Sequence, residues 1–178
     1  MKLSAENYVP QTDVAKLRKY AYLVWGVFTF ITFIWLFLIV SAPIFEASGI
    51  KSISQPTYRF FSYICHQINN RSFHYHEFTF AVCSRCFGVY LCVFIGFIAY
   101  TLFLKIENNE PFPRIWLFLA MIPMGIDFSL GFFHIWENTH ISRLITGGIL
   151  GFACAIFMVP AFADIVKQVK GKQVKGKR

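Results

Sequence analysis

YAYLVWGVFTFITFIWLFLIV, residues 20–40, decides the fold. The run holds no Asp, Glu, Lys, Arg or His. As a helix it is long enough to cross a hydrocarbon core of roughly 30 Å. Lys16, Arg18 and Lys19 stand just before it, which is also the layout of a signal peptide. The run exceeds the roughly 7–15 apolar residues of a signal core. The cleavage-like triplet Val40-Ser41-Ala42 is followed by Pro43. The stretch therefore reads as an uncleaved span.

Three further apolar runs follow, at 87–104, 115–133 and 144–163. Pro123 and Asp127 interrupt the third, and Gly147 and Gly151 give the fourth a small-xxx-small pair that lets two helix backbones approach closely. The whole composition agrees. Of 178 residues, 56% are hydrophobic, 22 are Phe, and only 15% are charged. A soluble domain is about a quarter charged, and a soluble fold of this size would leave large apolar patches bare. A disordered chain, a coiled coil and a disulfide-rich mini-protein are excluded. The expected fold is an all-α integral membrane protein with four transmembrane helices. A short interfacial or re-entrant helix is expected around Pro56–Ile68, which is apolar but too short to span. The layout is an N-terminal segment 1–19, a membrane domain 20–163 containing an outer segment 41–86, and a basic tail 164–178.

The formal net charge of +8 carries topology. Lys2, Lys16, Arg18 and Lys19 lie at one end, and six basic residues from Lys167 to Arg178 at the other. Four spans put both ends on one side, and basic ends face the cytoplasm. The loop Lys105–Arg114 is expected there too. The tail repeats Gln-Val-Lys-Gly-Lys at 168–172 and 173–177 and reads as unstructured and drawn to anionic headgroups. Nothing aromatic or folded accompanies that charge, so no nucleic-acid partner is expected.

With this direction assigned, the chemically capable residues gather on the outer side, all 5 histidines among them. Cys83-Ser84-Arg85-Cys86 opens the second span, and positions three apart share a helix face. With Cys65-His66 ahead of them, these residues make the Cys/His set of a zinc site: Cys65, His66, Cys83 and Cys86. One of Cys65 and His66 can face away, in which case His74 or His76 completes the set. Two other chemistries fit the same residues. A Cys-x-x-Cys at a helix N-terminus can cycle through a disulfide, with Cys65 as resolving thiol. An oxidising outer compartment also suits a plain structural disulfide. Cys92 and Cys154, inside spans, read as small apolar packing residues.

Asp127 is the carboxylate within a span, an expensive placement that marks function or a partner. His134 follows it at i+7 and Gly131 at i+4, which predicts a shared face beside a gap. Arg143 opens the fourth span at similar depth. One reading is an Asp127–Arg143 ion pair that holds two spans together. The other is a pocket in which Arg143, with Arg71 or Arg85, binds an anion while Asp127 or His134 moves a proton. Glu77, Glu137 and His140 read as solvated residues.

Cys65-His66-Gln67, Arg71-Ser72-Phe73, Cys83-Ser84-Arg85-Cys86, Pro123-Met124-Gly125-Ile126-Asp127 and Asn138 through Gly147 together resemble an uncharacterised prokaryotic family of small predicted membrane proteins, a domain of unknown function. The resemblance covers about residues 65–151. It implies a membrane location and singles out the same residues, without a reaction. The chain departs from the family at Phe128, where Gly usually follows the Asp. A second likeness is to the plan of quinone-linked disulfide-forming enzymes of the vitamin K epoxide reductase type. Those carry a second loop cysteine pair, where this chain has Cys65.

The sequence thus predicts an inner-membrane protein of a prokaryote with an outer Cys/His metal site, zinc by its ligands, beside an Asp/Arg pocket for a lipid or anionic small molecule. The alternatives are a membrane thiol–disulfide oxidoreductase using Cys83 and Cys86, and a non-enzymatic assembly or transport subunit.

Overall fold

The computed structural model describes residues 11–104, 113–135 and 137–175. The first ten residues, most of the loop expected on the cytoplasmic side, and the last three tail residues lie outside this range. Five helices follow the chain: α1 Gln11–Ala47, α2 Lys51–Ser62, α3 Ser84–Phe103, α4 Ile115–Phe132 and α5 His140–Lys175. A 3-10 turn at Asn69–Arg71 and a small hairpin, β1 His74–Tyr75 with β2 Phe78–Thr79, separate α2 from α3. Four helices contain stretches long and apolar enough to cross a membrane: Arg18–Ala47, Ser84–Phe103, Ile115–Phe132 and His140–Phe162. The 12 residues of α2 reach only about 18 Å at the helical rise. Phe30, Phe37, Phe103 and Trp116 turn more than half of their surface outward. Side chains of that kind belong in lipid rather than water.

The elements extend and shift the sequence expectations. The first span continues past Val40 through Pro43 to Ala47, because Ile39, Ala42 and Pro43 are fully buried at its end. Gly49, at φ +78°, then reverses the chain into α2. The short helix begins at Lys51, before Pro56, and ends at Ser62. Cys65 and His66 therefore lie beyond it, in irregular chain. The tail expected to lack fixed structure continues α5 to Lys175. Extending an existing helix avoids the nucleation cost, and Lys, Gln and Val add to it one residue at a time.

α3 packs most closely on α5. The seam is made by glycine: a β-carbon at Gly88 would overlap the Leu144 carbonyl, at Gly147 the Arg85 carbonyl, and at Gly151 the Val89 carbonyl. The expected close approach is present, with Gly147 and Gly151 both in it. α1 joins through the Trp25 indole, which donates to the Phe97 carbonyl at 2.9 Å, and through Phe28 stacked on Phe162 at 4.3 Å. Two buried clusters result. One centres on Phe97, Ala155 and Val159. The other joins Ile39 and Ala42 of α1, Phe61 of α2, and Cys65, Ala81 and Val82 of the connecting segment. α4 rests mainly on α5, and among its residues only Ala120 and Asp127 are buried.

Candidate metal centre and arginine pocket

The segment between α2 and α3 is held by side chains reaching its backbone. Gln67, in the left-handed region at φ 47°, donates its amide to the Tyr58 carbonyl at 2.7 Å and the Ala81 carbonyl at 2.8 Å. The Tyr58 hydroxyl donates to the Thr79 carbonyl. Burial first, and the negative Glu46 second, push the Tyr58 hydroxyl up to about 12, so it stays a donor. These bonds tie Gln67, two residues after Cys65, to α2 and to Ala81, and tie α2 to β2.

Cys65 is buried and its N–H closes onto the Phe61 carbonyl at 2.9 Å. Cys83 stands in extended conformation before α3, and its N–H donates to the Cys65 sulfur at 3.2 Å. Cys86 lies in the first turn of α3. The three sulfurs are all within 4.8 Å of one another, a group that could hold a metal ion. All five cysteines are free. Hydrogen bonds from the Cys83 thiol, then the Cys86 thiol, push the Cys65 thiol well below its ordinary value, with the Cys83 and Gln67 backbone N–H groups acting the same way against burial. Negative charge is therefore favoured on the Cys65 sulfur, as a ligand at that position requires. An apolar collar that includes Trp35, Phe61, Phe80 and Tyr90 packs around the cysteines.

The expected fourth ligand is not among them. His66 is exposed and outside the group, and so are His74 and His76. Successive residues of irregular, near-extended chain point their side chains apart, so burying Cys65 turns His66 outward.

The second cluster begins two residues after Cys83. The Arg85 guanidinium pairs with the Asp127 carboxylate. This corrects the expected Asp127–Arg143 pair. Ser142 of α5 donates to the other Asp127 oxygen at 3.1 Å, and Asn138 donates to the Asp127 carbonyl. Asp127 thus binds α4 to α3, to α5 and to the loop between them. The Asn138 amide packs against Gly131, and glycine there also lines the arginine pocket. α4 ends at Phe132 and His134 turns to φ 54°, so the helix face expected to carry both Asp127 and His134 does not continue that far.

Arg71, Arg85 and Arg143 line one cavity of about 180 Å³, with His134, Asn138 and the rings of Phe128 and Phe132. The Arg85 guanidinium carbon lies 5.7 Å from the Phe128 ring centre. Its Nε is buried without a hydrogen-bond partner. Thr139 caps α5 by accepting the Ser142 N–H at 3.1 Å, which sets both Ser142 and Arg143. His140, read from sequence as solvated, is half-buried and hydrogen-bonds the buried Ser84 hydroxyl at 2.9 Å. Sequence reasoning missed the positioning roles of Ser84 and Ser142. Their signal is a small hydroxyl residue in the first turn of a span.

Asp127→Asn leaves Arg85 uncompensated, and breaking such a pair costs about 3–5 kcal/mol when it is well buried. Arg143→Gln removes one cation from a site rich in cations and should cost under about 1 kcal/mol. Thermal unfolding of the two variants in detergent should therefore separate widely. Equal shifts would show that the Arg85–Asp127 pair does not anchor α4.

Fold and site define a small four-span membrane protein with a three-cysteine group and an arginine pocket at one end of its helices. The chain belongs to the family described as predicted membrane protein (DUF2085), whose sequence pattern matches residues 65–157. It is 34% identical over 155 residues to an uncharacterized protein of Methanocaldococcus jannaschii, covering 84% of this chain and 97% of that protein. It is 32% identical over 96 residues to an uncharacterized protein of Methanothermobacter thermautotrophicus, covering 54% of this chain and 85% of the relative. No solved structure matches the chain.

Proposed function

We propose that this protein, in a prokaryotic plasma membrane with both ends cytoplasmic, holds a zinc ion on Cys65, Cys83 and Cys86 and thereby fixes a pocket that binds an anionic group. The observation that carries the reading is the convergence of three free sulfurs within 4.8 Å, drawn from two segments far apart in sequence. Thiolate ligands suit zinc, and three of them leave a fourth position for a ligand from outside the protein. The metal clips the segment after α2 to the start of α3. Arg85 belongs to that same first turn, so the clip also sets the pocket. Arg143 and Arg85 receive the anion, Asp127 orients Arg85, and His134 at the wall is the group placed to exchange a proton with it.

The second reading is a membrane thiol–disulfide oxidoreductase. It is favoured by the hydrogen bonds that draw Cys65 toward the thiolate, the form that attacks a disulfide. Metal analysis with thiol counting on the purified chain separates the two. About one zinc per chain with all thiols reduced supports the metal centre. A metal-free protein with a reversible Cys83–Cys86 disulfide overturns it. A reporter at Arg178 should be found in the cytoplasm.

A further inference from the structure

The arginine pocket has an excess of positive charge that nothing in the fold explains. Three guanidiniums face the cavity, and Asp127 neutralises only one of them. The Arg85 Nε is buried without a partner, although Asp127 occupies another nitrogen of the same group. Burying a charged donor unsatisfied is costly. Among the described residues two of the three guanidiniums have no carboxylate partner, and a phosphate monoester at neutral pH carries about −1.5 to −2 with three strong acceptor oxygens. Arginine forks match those oxygens in pairs. The cavity of about 180 Å³ holds the volume of about six waters at roughly 30 Å³ each. That is room for a phosphate and its ester oxygen. It falls below the roughly 300–1,000 Å³ that encloses a drug-sized ligand.

The position of the pocket names the source. Arg85 is in the first turn of α3, Arg143 in the first turn of α5, and Phe128 and Phe132 in the last turns of α4. All are at span ends, where lipid headgroups lie. Phe128 and Phe132, stacked at 6.0 Å, form the cavity wall and still expose 54% and 66% of their surface. They offer an apolar path from the bilayer to the arginines, along which acyl chains can rest.

We infer that Arg71, Arg85 and Arg143 bind the phosphate monoester headgroup of a membrane lipid, which enters from the bilayer past Phe128 and Phe132. The inference rests on the anion pocket proposed above and gives it a ligand class.

The test uses the full chain in phosphatidylcholine nanodiscs, with phosphatidate or phosphatidylglycerol added, and inorganic phosphate tested separately in detergent. Retention of phosphatidate at least about tenfold stronger than phosphatidylglycerol supports the inference, one charged hydrogen-bond set being worth about that factor. Arg71→Gln, at an exposed position, should lose that preference with unfolding temperature and zinc content unchanged. Arg143→Gln should lose it as well. Equal retention of the two lipids, or a preference that survives both variants, overturns the inference. Binding of inorganic phosphate without lipid discrimination leaves the anion pocket standing and removes the lipid. Failure of phosphate and both lipids to bind a zinc-loaded chain removes the pocket itself.

Discussion

Serine in place of Cys65, Cys83 or Cys86 should reduce bound zinc from about one ion per chain to a trace, while His66→Ala leaves it in place. Structural zinc sites bind with about 10–16 kcal/mol at neutral pH. Spread over the ligands, one thiolate is worth on the order of 4 kcal/mol, roughly a thousandfold in affinity. A serine hydroxyl neither ionises near neutrality nor offers a soft donor, so it recovers little of this. The effect should reach the fold around the site. Cys65 follows α2 and Cys83 precedes α3, and the clip between them joins the two ends of residues 66–82. Each Cys→Ser variant should therefore speed hydrogen exchange in the hairpin and at Gln67. The apolar cluster of Ile39, Phe61 and Val82 should keep α1 and α2 together. His66→Ala is the informative control, because His66 sits next to a ligand in sequence and outside the group in space. If His66→Ala emptied the site as fully as Cys83→Ser, the three-cysteine assignment would be wrong.

The four spans were legible because they rest on composition over long windows. Phe, Leu and Ile in runs free of charge leave a helix in lipid as the stable outcome. Their ends were less legible. The helix of the first span passes Val40 because Ala42 and Pro43 find a buried surface on α2 and the segment before α3, a partner no local pattern announces. The hairpin left no trace. Its strands are two residues each, and the left-handed turn residue is His76 rather than glycine or asparagine.

The site divides in the same way. Cys86 was placed by helix periodicity within α3, whereas Cys83, expected on the same helix face, stands before the helix in extended chain and reaches the group from there. Cys65 and His66 were inseparable on sequence, since the choice depends on which side chain the collar of Trp35 and Phe61 can bury. Asp127 stood out because a carboxylate in a span needs a partner. Arg143 stood at similar depth, and the register of α3 against α5 gave the carboxylate to Arg85 instead. That register is set by glycines whose role in packing was readable, although their partner helix was not.

Gly147→Ala should separate the two sites: the arginine pocket is lost and the zinc stays. A methyl group at Gly147 would overlap the Arg85 backbone carbonyl. A carbonyl on a helix cannot rotate away, so α3 and α5 must move apart. Overpacking costs about 1–3 kcal/mol where side chains can adjust, and more where backbone must yield. The displaced carbonyl belongs to Arg85, so the shift moves the guanidinium away from Asp127 and Arg143. The cysteine centre is packed mainly by α1, α2, the segment before α3 and the Phe87 and Tyr90 side chains of α3, and none of its three sulfurs comes from α5. Bound zinc should stay near one ion per chain, while the unfolding temperature falls and any anion binding disappears. Two other glycines grade the series. Gly148→Ala meets the Cys92 sulfur at 2.8 Å, a side chain that can turn aside, and should cost less. Gly125→Ala meets nothing within 4 Å and should be neutral or stabilising by up to about 1 kcal/mol. Equal stability of the Gly147 and Gly125 variants would mean that α3 and α5 do not touch along this seam. Loss of zinc from a folded Gly147→Ala chain would mean that the metal centre depends on α5, and that the two sites are one unit rather than neighbours sharing a helix turn.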